Sequence, residues 1–492
     1  MEYPNRNLEA TITTTNNGNE DVEKKSINTN VPSLSPEIES KHPPDQNYVV
    51  DWDGEDDPAN PLNWPSKRKV LSLAFISLFT FITPLASSMF APGVPELMQD
   101  FQSTNLELAS FVVSVYILGF AIGPILIAPL SELYGRQILY RTCNVLFLAF
   151  TVICGESQNI GMFIAFRFLA GCAGVAPITI GGGSVADVMK PNQRGGPIAG
   201  GYLVEAAGWR WVFRILAIAS AVATLGGFAS EETYAPKLLE AKAKKLRLDK
   251  GDQAYVSKFA RNFPSSVLIK RAVLRPLKLL FTSATVFLLS LHVAIVYSYL
   301  YLLFTTFTVV FEGQYHFSTG SVGLSYLGLG IGCILGAVFL GLASDRIYTY
   351  LEKASGVAKP EFRLPLMIVF SLFVPIGLFW YGWTADKHVH WIVPIIATSV
   401  IAIGMLSVFL PVQTYLIDAF PEYAASAIAA VTVFRSIAGA LVPLAGQPMF
   451  DRLGLGWGSS LLGFLALAMT PIPWVFWKFG ERIRTKFPVD LD

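Results

Sequence analysis

The chain has 492 residues, 52% of them hydrophobic and 15% charged, with a formal net charge of +1. That is too much apolar surface for one soluble core of ordinary composition, and the balanced charge leaves no global pull toward nucleic acid. Cys143, Cys154, Cys172 and Cys333 all sit in apolar runs without metal-ligand spacing or the density of a disulfide scaffold, so no metal and no cofactor is expected.

In chain order, residues 1–69 are polar, rich in Asn, Thr, Ser, Glu and Lys, and lack the apolar core of a signal peptide. They are expected to form a disordered cytosolic tail. The end of that tail, DWDGEDDPANPLNWP from Asp51 to Pro65, is acidic and punctuated by proline, and its Trp64 is expected to rest at the lipid headgroups. Apolar runs long enough for a crossing of about 20 residues then begin near Val70, Leu108, Leu139, Gly161, Trp211, Leu279, Val322, Leu364, Ile392, Ala424 and Gly458. The third run is shorter and needs Arg141 to snorkel. A twelfth candidate, Gly195 to Gly208, has only 14 residues and would reach about 21 Å as a helix.

Loop charge decides whether that short segment crosses, because Lys and Arg collect on the cytosolic side of short loops. Lys67, Arg68 and Lys69 place the N-terminus inside, and the following turns alternate as the rule requires. The stretch from Glu231 to Lys278 carries twelve Lys or Arg, and Lys478, Arg482, Arg484 and Lys486 follow the last run. Twelve crossings put both clusters in the cytosol, whereas eleven would put both outside. The expected organisation is therefore a tail (1–69), a six-helix bundle (70–230), a basic cytosolic linker (231–278), a second six-helix bundle (279–477) and a cytosolic C-terminal tail (478–492).

The two bundles share a repeat. GPILIAPLSELYGR, from Gly123 to Arg136, returns in degenerate form as GAVFLGLASDRIY from Gly336 to Tyr348, an offset of 213 residues. Both copies fit Gly-x4-small-x2-Ser-acid, with Glu132 and Asp345 as the acids and Arg136 and Arg346 as the bases. Internal duplication of this kind builds secondary transporters.

Few ionisable groups lie deep in the runs. Arg167 sits about seven residues into the fourth, where a permanent charge tends to face a bundle interior or a water-filled cavity. Arg435 and His292 are the other two, and an imidazole could carry a proton. The seventh run presents Tyr297, Tyr299, Tyr301, Phe304 and Phe307, and Gln413 with Tyr415 precedes Asp418 in the tenth. An aromatic pocket with few polar groups suits bulky, partly apolar ligands, with Tyr297, Tyr301, Gln413 and Tyr415 as its candidates. The five histidines are scattered, so no enzyme constellation is present.

These residues resemble the major facilitator superfamily and, within it, the fungal drug:proton antiporters. The resemblance rests on the Asp51–Pro65 stretch, PLASSMFAPGVPELMQDF (84–101), APLSELYGR (128–136), RFLAGCAG (167–174), GPIAGG (196–201), AGWRWVF (207–213), EETYAP (231–236) and YLIDAFPEYAASAIAA (415–430). It implies an all-α membrane protein with the twelve-helix major facilitator fold of two six-helix bundles, working as a proton-driven efflux pump for drugs, toxins or secondary metabolites. By the same resemblance, Arg167 serves proton coupling or charge compensation. Glu132, Gly135, Arg136, Asp345 and Arg346 form a charge latch at the cytosolic gate, and Gly196, Pro197, Gly200 and Gly201 belong to the antiporter motif of the fifth helix. The expected partners are a small-molecule substrate, protons and the plasma-membrane bilayer, the protein being a monomer. One departure stands out: Arg194 runs directly into Gly195-Gly196-Pro197 where the family has a full apolar helix. A deletion or an error in the gene model is expected there, and it keeps a transport-dead sensor or scaffold as an alternative beside a polyamine or nutrient carrier.

Overall fold

In a computed structural model of the protein, residues 48–188, 208–259, 265–420 and 424–486 are described, except positions 55 and 230. The short fifth segment lies outside them up to residue 207, and with it Gly196, Pro197, Gly200 and Gly201 of the antiporter motif. The first half contains α1 (Ser66–Ser88), α2 (Leu106–Tyr134), α3 (Arg136–Gly155), α4 (Ile160–Gly174), α5 (Ala176–Val188) and α6 (Gly208–Ala229). The linker carries α7 (Ala235–Lys250) and α8 (Ser265–Thr282). The second half contains α9 (Ala284–Gly313), α10 (Leu327–Ser355), α11 (Phe373–Asp386), α12 (Ile392–Ala419), α13 (Ala424–Leu441), α14 (Gly446–Met469) and α15 (Pro471–Lys486). All eleven long apolar runs of the sequence are helical. Among the described residues, nine helical stretches are long and apolar enough to cross a membrane, the last of which runs through α13, α14 and α15.

Caps explain where several helices start. Asn105 accepts the Leu108 amide at 3.0 Å to open α2, and Asn159 accepts that of Met162 at 2.8 Å to open α4. Ser283 does the same for Val286, which moves the start of the seventh span from Leu279 to Ala284 and leaves α8 as a separate amphipathic helix. The linker therefore ends near residue 283, not 278. At the other end, α15 continues to Lys486, so residues 478–486 are helix rather than tail.

The end of the N-terminal region also differs from expectation. Val49–Val50 (β1) pairs in parallel with Val256–Ser257 (β2) in the linker. Asp51 holds Lys258 at 2.6 Å, and Asp53 holds Lys242 at 2.7 Å. Trp64 is buried by protein, with the Arg68 guanidinium 4.0 Å from its ring centroid. The acidic stretch is ordered against the basic linker because it is the nearest opposite charge.

The duplication is visible in how helices approach. A Cβ added at Gly119 of α2 would lie 2.5 Å from the Cys172 nitrogen, and one at Gly171 of α4 would collide with the Tyr116 carbonyl. At the same 213-residue offset, Gly332 of α10 meets α12, where a Cβ would lie 2.7 Å from Ser399 Cα. Only small residues permit backbones this close. The partners also repeat: α2 on α4 and α3 on α6, then α10 on α12 and α11 on α14.

Among the described residues the symmetry is incomplete in one place. α13 packs on both α9 and α2, whose apolar windows are each 67% buried. Its counterpart in the first half would cover α1 and α10, and the windows of those two spans are only 33% and 28% buried. Ile331, Ile334, Leu335, Val338 and Leu342 accordingly face outward along α10.

Candidate functional site

The end of the bundle that carries Lys67–Lys69, here called the basic end, holds the two copies of the repeat. α2 stops at Gly135, whose φ of +92° suits glycine. The chain turns there so that Arg136 reaches Asp187 at the end of α5, with Nε–Oδ2 2.5 Å and Nη2–Oδ1 3.3 Å. Glu232 accepts the backbone amides of Arg136 and Gln137 at 3.1 and 3.2 Å, satisfying donors at the start of α3. In the second copy the residue aligned with Gly135 is Tyr348. Without a glycine, α10 runs on to Ser355 and ends at Gly356, φ +70°.

The base of the second network is therefore not Arg346, which is exposed. It is Arg363, which donates to Asp345 at 2.9 Å and Asp418 at 3.2 Å and lies 4.2 Å from the Tyr348 ring centroid. Arg136 with Asp187 and Arg363 with Asp418 are equivalent pairs, each joining the start of a half's third span to the end of its fourth. Glu132 is exposed at the rim. Sequence reasoning missed Asp187, Glu232 and Arg363 as partners. Of the three, only Glu232 stood in a recognised motif.

Deeper in the bundle, a polar thread crosses from one half to the other. Ser87 Oγ of α1 lies 3.0 Å from Tyr301 Oη of α9, and Tyr297 Oη donates to Tyr301 Oη at 3.4 Å. Thr308 Oγ1 donates to Ala91 O at 3.4 Å toward the opposite end. Tyr301 belongs to the core of the first half, and Leu300, Phe304 and Tyr326 pack against the cores of both. An aromatic wall runs Tyr297, Tyr301, Phe304, Tyr326, with neighbouring ring centroids 5.1, 5.4 and 5.7 Å apart.

A buried arginine stands at each end of that thread. Arg167, 1% exposed, donates to Val112 O at 2.9 Å, to Ala86 O at 3.3 and 3.4 Å, and to Ser87 O at 3.0 Å. Ala86 and Ser87 are in the last turn of α1, where carbonyls have no partner in the helix. The guanidinium therefore caps that helix and meets the negative end of its dipole. The ring centroids of Phe90, Tyr116, Phe163 and Phe213 lie 5.0 to 5.9 Å from it. Arg435, 4% exposed, lies 4.5 and 4.7 Å from the centroids of Tyr297 and Phe409, yet its Nε has no hydrogen-bond partner.

Other predicted site residues are placed elsewhere. Tyr299 donates to Leu462 O at 3.0 Å, away from the seam. Tyr415 is fully buried beside Gly480 at the basic end, with Arg484 over its ring at 6.0 Å, so it does not line the aromatic wall. Gln413 is half-buried one helical turn from Phe409. His292 is buried in α9, with Nδ1 unpartnered. A small cleft of about 20 Å³, room for one water, lies at the basic end against Phe75, Gln137 and Tyr140, remote from both arginines.

The profile of the Major Facilitator Superfamily matches residues 76–196 and 195–443. The chain belongs to that superfamily. The MFS-type transporter penM of Penicillium rubens is 54% identical over 460 residues, covering 90% of this chain and 91% of that protein. The efflux pump radE of Floropilus chiversii is 45% identical over 480 residues, covering 93% and 88%. The xylose transporter XylE of E. coli has the same fold, with a TM-score of 0.61 at 17% identity over 84% of this chain and 98% of that one. The protein is thus an all-α, multi-pass membrane transporter and not an enzyme.

The two alignments also measure what is missing. Their 460 and 480 positions exceed the roughly 443 and 458 residues that 90% and 93% of 492 supply, so about 17 and 22 positions in the relatives have no residue here. The profile match breaks at residues 195–196.

Proposed function

We propose that this superfamily member is a proton-coupled exporter of small hydrophobic or amphipathic organic compounds, working by alternating access. The observation that carries this reading is the aromatic seam, where two related bundles meet through few polar contacts that can be made and broken as the halves rock. Similarity to a protein described as an efflux pump supports the direction of transport. The loop charges support cytosolic termini in a plasma-membrane protein, and a monomer suffices because both halves are in one chain. His292 is the proposed proton carrier, as the one histidine within a span among the described residues. Arg136 and Arg363 with their acids are the proposed latch at the basic end, with Glu132, Asp345 and Arg346 at its rim.

Proteoliposomes with an imposed proton gradient test the proposal. Efflux of a lipophilic dye that stops when a protonophore collapses the gradient is the expected result, and gradient-independent leakage equal to that of empty vesicles would refute it. A second reading, a transport-dead variant, is favoured by the poor cover of α1 and α10 and by the positions missing relative to the relatives. A polyamine carrier is disfavoured because the buried acids among the described residues, Asp57 and Glu361, lie outside the apolar spans.

A further inference from the structure

The two buried arginines differ in what answers their charge. Arg167 has backbone carbonyls and a helix end to hold it. The Arg435 side chain, 4% exposed, makes no hydrogen bond or ion pair among the described residues; its buried Nε is unpartnered, and its neighbours include the faces of Tyr297 and Phe409. Ring faces return only part of the cost of taking a charge out of water. An arginine also offers five N–H donors in a planar fork, matched to a two-oxygen anion.

We infer that Arg435 is the anchor for an anionic group on the transported compound, a carboxylate, whose planar aromatic body lies along the wall from Tyr297 to Tyr326. This deepens the proposed function by naming the substrate class of the same seam. Three features carry it. The guanidinium lacks a partner. Among the described residues the two buried acids, Asp57 and Glu361, both lie outside the spans. The wall joins it at Tyr297, which packs on Phe409 with ring centroids 6.3 Å apart and an interplanar angle of 28°. A cationic compound would meet Arg435 and Arg167 with no buried counter-charge, which sets the selectivity against amines.

The test uses the full chain in nanodiscs of phosphatidylcholine alone, so that no anionic lipid competes. Binding of 1-naphthoate, 1-naphthamide and 1-naphthylmethylammonium is compared by equilibrium dialysis. The naphthoate is expected to bind about tenfold to a hundredfold more tightly than the isosteric amide, the range for a charge-assisted pair, and the ammonium more weakly than both. Arg435→Gln should bring the carboxylate down to the amide's affinity while leaving the amide unchanged, and Arg435→Lys should fall between. Equal affinities for the acid and the amide in the unaltered protein overturn the inference even if no variant folds. A variant that folds and keeps the full preference overturns it as well. Gradient-driven dye efflux without this preference would leave the export reading standing and remove the anion site. The preference without any flux would do the reverse.

Discussion

Arg167 in the first half and Arg435 in the second are each buried about two turns from the helix end farther from the basic end, yet they face different surroundings. The first is fully satisfied by carbonyls, so its charge is part of what holds α1, α2 and α4 together. The second has ring faces beside it and an unpartnered Nε, a donor open to the ligand inferred above. Burial of a permanent charge is therefore not in itself a sign of function, and what separates the two cases is whether the protein already answers the charge.

The comparison can be broken most sharply at Arg167. Replacing it by leucine should cost about 3–5 kcal/mol, the range for removing one partner of a buried charged network, because the Ala86 and Ser87 carbonyls lose their donor. The chain should then fail to give a monodisperse peak in detergent, and unchanged yield and melting temperature for Arg167→Leu would put Arg167 in the same class as Arg435. A smaller effect is expected from closing the helix approach. Gly119→Val should destabilise by about 1–3 kcal/mol, visible as a lowered thermal midpoint, and Gly332→Val should match it if the two halves are packed alike.

At the basic end the halves differ in exposure. The Arg136 and Asp187 side chains are 16% and 17% exposed, whereas Asp418 and Asp345, the two acids on Arg363, are 32% and 77% exposed. Arg136→Ala should therefore lower stability more than Arg363→Ala, whose effect should stay under about 1 kcal/mol. Urea titrations giving the reverse order would contradict the pairing.

The smallest effect concerns the N-terminal clamp. The Lys258 ammonium holds the Asp51 carboxyl below its usual range, and the amides of Asp53 and Ala59 do the same for Asp57. Groups depressed in the folded state contribute stability above their ordinary titration range and lose it as the pH falls through the depressed values. Limited proteolysis near Asp51 should thus stay slow from neutral pH down through mildly acidic conditions and speed up only below the ordinary carboxylate range. Release near pH 6 would show that another group governs the clamp.

Much of this was legible in the sequence. Apolar run length gave the helices, and the spacing from Gly123 to Gly336 gave the duplication that the Gly119 and Gly332 contacts repeat in three dimensions. The ion pairs were not legible, because Arg136 and Asp187 are 51 residues apart and Arg363 looks like any loop arginine until the fold brings Asp418 to it. Nor could composition separate Arg167 from Arg435, since the difference lies in the carbonyls at the end of α1. The loss of Gly135 in the second copy was visible, but that α10 would run on to Gly356 depends on the absence of any other helix-ending residue before it.

The central claim, that one arginine holds the fold and the other holds a ligand, is tested most directly by crossing two lysine substitutions in one preparation and reading thermal midpoint and 1-naphthoate affinity side by side. Arg167→Lys should lower the midpoint and leave the affinity of the folded fraction unchanged. Arg435→Lys should keep the midpoint and weaken binding by about tenfold, as expected when a planar fork becomes a point charge. A weakened affinity in Arg167→Lys together with unchanged binding in Arg435→Lys would contradict the account.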